Sequence, residues 1–290
     1  MVKMKHLLLL LIISITTFFS CSSLPGKKEE RTLDIRNNAT EYLKKGITYY
    51  NSGRYKQALD FFDLALQLNT SIDNEEGNIR TLNSIGKTKL AEIKHDDAFK
   101  YFEQAMVIAE RIEDYKLILL TKGNLVDYHI KIENLESALV LLNSEINALN
   151  DIKDEESAYL AHNYSLILRK QKKYEESLEY LYKSLKFNEK NKAYRGLAAD
   201  YYMLASIRSL QMKYEEAKKY ALEALKFDKL IEFPQGIASD LQALAIISEK
   251  SGNMIDAEVY NKRSQAVLDA IGNINQLENE QTDLDHSLTQ

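Results

Sequence analysis

The 290-residue chain carries 38 Lys and Arg against 43 Asp and Glu, a formal charge of −5 that becomes −7 without residues 1–20, which hold Lys3 and Lys5 and no acid. Such an acid excess excludes a general nucleic-acid binder. Forty-five per cent hydrophobic residues with only ten Gly and two Pro predict a helical body with ample core, and a lone cysteine excludes an internal disulfide or a Cys-rich zinc site.

In chain order, Lys3, Lys5 and His6 precede a mostly apolar run from Leu7 to Phe19, and Ser20 leads into Cys21. That is the layout of a secretory signal. As a helix the run spans about 20 Å, short of the ~30 Å hydrocarbon core, so an uncleaved anchor is disfavoured. The stretch resembles a bacterial lipoprotein signal, with Phe18 where Leu is commonest. The resemblance implies cleavage before Cys21 and its lipidation, with acyl chains contributing about 0.8 kcal/mol per buried CH₂. Ser22 after the cysteine favours the outer membrane over the inner by the sorting rule of enterobacterial lipoproteins, and leaves the leaflet open. Residues 21–38 mix Ser, Pro25, Gly26 and charges without an apolar period and are expected to form a flexible tether.

From there the chain repeats itself. "GRYKQALDFFDLAL" from Gly53, "IKHDDAFKYFEQAM" from Ile93, "IENLESALVLLNSEI" from Ile132, "KKYEESLEYLYKSL" from Lys172, "MKYEEAKKYALEAL" from Met212 and "GNMIDAEVYNKRSQ" from Gly252 align on Ala58, Ala98, Ala138, Ser177, Ala217 and Ala257, spaced 40, 40, 39, 40 and 40 residues. Twelve residues before each stands Gly46, Gly86, Val126, Ser165, Ala205 or Ala245, flanked by apolar residues at helical spacing. A fixed period means one supersecondary unit stacked repeatedly.

These residues resemble tetratricopeptide repeats. The family pattern places a small residue in helix A, an aromatic at the A–B turn (Tyr55, Tyr174 and Tyr214, with His95, Leu135 and Met254 in the other copies), and Ala then an aromatic on helix B (Phe62 and Phe102, replaced by Leu142 and Leu181). A second small position holds Ala65, Ala105, Ser184, Ala224 and Ser264, but Glu145 in the third copy. The 40-residue period resembles the longer-helix subtype of bacterial adaptors. The implied fold is all-α, an α-solenoid of six TPR-like helix-turn-helix repeats over residues 39–271, starting near 39, 79, 119, 158, 198 and 238. The polar last helix suits a capping unit. Residues 272–290, acidic and amide-rich, are expected to be a frayed helix end and a disordered tail.

Chemistry is sparse. None of His6, His95, His129, His162 and His286 sits in a metal-binding pair, and no GxGxxG, Walker or GxSxG motif occurs. Carboxylate pairs such as Glu175-Glu176 and Glu215-Glu216 open helices, where they favour the positive helix end. Neither an enzymatic activity nor a cofactor or metal is expected.

The resemblance implies that partners lie in the concave groove lined by helix A. Placing this chain's residues there gives six bases against two acids. Arg80, Lys87, Lys131, Arg169 and Lys170 form the expected centre, with His162 beside them, for an acidic or C-terminal carboxylate-bearing peptide. Asn124 and Asn163 match the helix A asparagine with which long-helix relatives bond peptide backbone, and Asn83 stands one residue out of register. The implied role is a membrane-anchored adaptor at the bacterial envelope, held by its N-terminal lipid and binding protein or peptide partners. The alternative is an accessory lipoprotein of a transport system, because treponemal TRAP-associated lipoproteins resemble this union of anchor and repeats and assemble with a solute-binding protein.

Overall fold

The computed structural model describes residues 27–288, with side chains over 31–273. Cys21, the signal segment and residues 21–26 of the expected tether lie outside the described residues. Twelve α-helices follow one another, with no strand among the described residues. They pair as six hairpins: α1 (Lys27–Asn51) with α2 (Tyr55–Ser71), α3 (Glu75–Ala91) with α4 (His95–Arg111), and α5 (Tyr115–Lys131) with α6 (Leu135–Leu142). The second half pairs α7 (Glu155–Lys170) with α8 (Tyr174–Asn191), α9 (Tyr194–Leu210) with α10 (Tyr214–Leu230), and α11 (Pro234–Lys250) with α12 (Met254–Leu288). Odd-numbered helices are the A helices and even-numbered ones the B helices of an all-α solenoid.

Local sequence sets the boundaries. Asn74, Asp114, Asn134 and Asp154 cap α3, α5, α6 and α7, each accepting a bond of 2.8 to 3.3 Å from the backbone N–H three residues on. Pro234 opens α11, where its missing N–H costs nothing. The turn residues Tyr55, His95, Leu135, Tyr174, Tyr214 and Met254 are each the first residue of a B helix. The A helices from α3 onward begin three or four residues before the expected repeat starts.

One backbone device recurs at almost every turn. Gly53, Asp73, Ile93, Glu113, Glu133, Lys172, Lys192, Met212, Glu232 and Gly252 all have positive φ, between 51° and 86°. A single left-handed residue thus reverses the chain about every twentieth position, so the 40-residue period is two near-identical helix-plus-turn units of 20. The connection from α6 to α7 is the exception.

There α6 stops after eight residues, whereas α2, α4 and α10 have 17 and α8 has 18. Turns and a 3₁₀ segment, Ala148–Asn150, carry the chain on. The physical cause is Glu145, 7% exposed where Ala65, Ala105, Ser184 and Ala224 are buried in the other repeats. A buried carboxylate needs partners. Lys122 Nζ donates to it at 2.5 Å and Tyr115 Oη at 3.0 Å, bonds made where the B helix has given way to turns.

The core lies between A and B helices, and side-chain size is matched across it. Ala58, Ala98, Ala138, Ser177 and Ala217 are fully buried and Ala257 nearly so. Gly46 and Gly86 lie so close to Phe62 and Phe102 that a Cβ on either would sit 2.4 or 2.5 Å from the ring. Where the B helix carries a smaller side chain, the A position is larger: Val126 with Leu142, and Ala205 with Ala221, share apolar clusters.

Both ends depart from expectation. Residues 27–38, expected as part of a tether, are the opening turns of α1. Residues 272–288, expected to fray and disorder, continue α12 through Gly272. No proline follows Gly26 or Gly272 in either stretch, and extending an existing helix adds one hydrogen bond per residue without a new nucleus. Among the described residues, no helix is long and apolar enough to cross a membrane.

The Gly86–Phe102 contact predicts that Gly86→Ala lowers stability by about 1–3 kcal/mol, because the ring must leave its rotamer. Adding Phe102→Leu should recover most of the loss in a thermal melt.

Candidate functional site

Faces of the four A helices α3, α5, α7 and α9, with Ser184 and Asn188 of α8, line a cavity of about 390 Å³. From α3 come Arg80 and Lys87, from α5 Asn124 and Asp127, from α7 Glu155, Tyr159, His162 and Asn163, and from α9 Arg195 and Asp200. The solenoid wraps far enough for its ends to meet. Arg195 Nη1 donates to Oδ1 of Asn51, the last residue of α1, and the Arg195 guanidinium lies 5.6 Å from the Tyr50 ring. The groove is therefore a short tube.

Inside it the electrostatics are unusual. Lys87 is half-buried in the cavity wall. Burial, with Arg195 nearby, pulls its ammonium down to about 8. Asp127 is raised by burial, against the pull of Lys131 and Lys87. No ion pair within 4.0 Å is recorded for either residue among those described, so both present charge to the lumen. Burial pushes the Tyr50 hydroxyl up to about 12 and also holds the Tyr159 hydroxyl well above its ordinary range. Both phenols stay neutral donors at physiological pH.

The expected site residues divide into three groups. Arg80, Lys87, Asn124, His162 and Asn163 line the tube. Arg80 is also paired with Glu76 at 3.1 Å, and His162 Nδ1 lies 2.7 Å from Asp200 Oδ1. The asparagines act chiefly between A helices: Asn83 Nδ2 donates to Thr121 Oγ1 at 2.8 Å, Asn124 Nδ2 to Asn83 Oδ1 at 2.7 Å, and Asn163 Nδ2 to the Gly123 carbonyl at 3.1 Å. Their amides stitch α3, α5 and α7 together.

Lys131, Arg169 and Lys170 do not line the tube. Arg169 instead donates to Ser206 Oγ at 2.9 Å, and burial lowers its pKa. The lumen is also not the basic surface that the sequence predicted. Asp127, Glu155, Glu156 and Asp200 join Arg80, Lys87 and Arg195 there, because the N-terminal turns of α7 and α9 reach the cavity as well as the helix middles. Arg195 escaped the sequence reading for the same reason. Nothing in its own hairpin marks it; closure of the superhelix alone brings it to Asn51, 144 residues earlier.

Asp200 belongs to a buried network at the α8–α9 junction. Asn188 Nδ2 donates to it at 2.7 Å and Ser184 Oγ at 3.0 and 3.1 Å. One repeat later the equivalent pair is Asp228 and Asp240, two carboxyls that are 6% and 1% exposed. Burial holds both above the usual carboxylate range, and Asp228 pushes Asp240 further. Asp240 Oδ2 has no partner.

Residues 37–111 and residues 157–190 match family models of the tetratricopeptide repeat. No curated protein matches the chain in sequence. Among solved structures, the Rap conjugation gene regulator of plasmid pLS20 in complex with the Phr* peptide has a TM-score of 0.67 at 19% identity, over 87% of this chain and 66% of that one. A Rap protein complexed with Competence and Sporulation Factor gives 0.62 at 13% identity, over 82% and 66%. PilW, a type IV pilus biogenesis factor, gives 0.50 at 18% identity, over 79% and 92%. The chain thus spans 66% of the length of either Rap protein. At these identities the likeness establishes the fold.

The Asp228–Asp240 pair carries a pH prediction. Folded, it keeps protons that the unfolded chain releases near pH 4, so the unfolded state binds fewer and stability falls as pH rises from there through neutrality. Asp228→Asn, which recreates the Asn188–Asp200 pairing, should raise the melting temperature at pH 8 and flatten its fall between pH 5 and 8.

Proposed function

The chain carries tetratricopeptide repeats, and we propose that it is a membrane-tethered adaptor whose tube takes a protein or peptide partner by a carboxylate-bearing segment or chain end. The observation behind this reading is the cation pair Lys87 and Arg195 facing one cavity of about 390 Å³, with the neutral hydroxyl of Tyr159 beside them. Lys87, being partly desolvated, favours a carboxylate more strongly than an exposed cation would, because little solvent screens the pair. Arg195 supplies a planar fork and Lys87 a point charge. Asp127 and Glu155 keep the lumen near neutral overall, so a partner with one well-placed carboxylate suits it better than a polyanion.

The tether rests on the sequence. Cys21 behind an apolar run supports lipidation at the bacterial envelope, on the outer membrane by the Ser22 rule, and the repeats would extend from that anchor. The absence of nucleotide and nucleophile motifs in the sequence supports binding rather than catalysis. Solved relatives named as complexes with a peptide or a factor support the same kind of partner.

Crosslinking in intact cells followed by identification of the attached protein tests the partner. Lys87→Glu should abolish its capture with the helical melt unchanged, while Arg169→Glu, outside the tube, should leave it intact; capture by both variants overturns the reading. Because the Lys87 ammonium titrates near pH 8, capture by the purified protein should weaken as pH rises from 7 to 9. Separately, Cys21→Ala should move the protein from the membrane pellet to the soluble fraction.

A further inference from the structure

The tube is closed by a contact unlike any other in the molecule. On one side are the end of α1 at Asn51 and the turn that follows it at Gly53; on the other are the N-terminal ends of α9 and α11 and the side of α12. Arg195 bonds Asn51, and its guanidinium lies 4.4 Å from the Phe233 ring as well as 5.6 Å from Tyr50. The Gln235 amide, oriented to satisfy both neighbours, donates to the Asn51 carbonyl at 3.2 Å and accepts from the Gly53 N–H at 3.0 Å.

Gly53 shows how tightly this seam is built. Ile93, Glu133, Lys172 and Met212 occupy the same left-handed turn position in repeats two to five. In repeat one a Cβ would lie 1.8 Å from the Gln235 amide and 3.3 Å from Ile271, so any larger residue must push the Gln235 side chain out of the seam. Gly252, in the equivalent position of the last repeat, has nothing within 4 Å. The repeat itself therefore does not demand glycine at position 53; the approach of the two ends does.

The seam is also chemically weak. The buried apolar clusters join neighbouring hairpins, and none of them bridges repeat one to repeat five or six. Arg195 is itself exposed, and each of its polar contacts can be exchanged for water at little net cost. Opposite the seam, midway along the chain, lies repeat three with its eight-residue α6 and the one inter-helix connection that lacks a left-handed turn. A solenoid that bends must do so where its helix pair is least complete.

We propose that the solenoid is a hinged clamp: repeats one and two form one arm, repeats four to six the other, repeat three the hinge, and the Arg195–Asn51–Gln235–Gly53 seam the latch. It rests on the tube being the partner site, and it supplies a route by which a segment too bulky to thread the tube could reach the lumen. Arg195 joins the two functions, because it lines the cavity and holds the seam. Its bond to Asn51 uses one of the five N–H donors of a guanidinium, leaving donors for a bound carboxylate. An occupied lumen then favours the closed ring.

Spin labels at Lys56→Cys and Lys192→Cys in a Cys21→Ala background measure the seam by pulsed electron resonance, and a Lys192→Cys/Lys229→Cys pair measures one arm alone. The unaltered seam should give one narrow distance. Arg195→Ala and, independently, Gly53→Ala should shift it to a longer, broader distribution while the arm pair stays fixed and the helical circular dichroism is retained. A seam distance unchanged in both variants overturns the clamp, as does an arm distance that moves with the seam. No partner is needed, so this result is independent of whether the tube captures a carboxylate.

Discussion

How closely an A helix can approach its B helix sets the rest of this structure. At Gly46 and Gly86 the gap is so small that one added methyl group would collide with the ring of Phe62 or Phe102. Where the ring is replaced by Leu142 or Ala221, the facing position grows to Val126 or Ala205. The residues on the two sides of the contact change together, the smallest facing the largest, as close packing requires. Hairpins of similar thickness can then stack, and a similar rotation from one hairpin to the next accumulates into a superhelix. Its first turn returns to meet its fifth and sixth repeats.

The tube follows from that curvature. Lys87, Asp127 and Arg195 come from three different repeats, and each alone would be an ordinary solvated side chain. Packed around one cavity with Tyr50 and Tyr159 nearby, Lys87 is lowered and Asp127 raised in pKa by burial. The same convergence explains why the asparagines do less for a ligand than their spacing suggests. A buried amide in a narrow contact between A helices is satisfied by the next helix, and Asn83, Asn124 and Asn163 form just such a ladder.

Repeat three shows what a single departure from the pattern can do. Glu145 replaces a buried small residue, draws Lys122 and Tyr115 to itself, and leaves the B helix less than half the length of its counterparts. A polar substitution at a packing position has become a change of backbone. Its place midway along the chain gives the irregularity mechanical meaning for a ring that closes at its ends.

The amino-acid sequence by itself determined the repeat. Spacing of small and aromatic residues set the number of hairpins, their order and the position of each A–B turn, because these depend on contacts within some 20 residues. It misjudged both ends, reading tether and tail where α1 and α12 continue, since composition weighs charge and amide content but not the benefit of extending a helix already nucleated. The Glu145 irregularity was visible as a departure, but its consequence for α6 was not. Only the tertiary structure decided which side chains share the lumen. Arg80, Lys87 and His162 were legible from their register on helix A, whereas Arg195 was not, and Lys131, Arg169 and Lys170, expected beside them, are not among the residues that line the cavity. Register tells which face a residue occupies; the sum of small rotations between six hairpins tells which faces meet, and no local stretch of sequence encodes that sum.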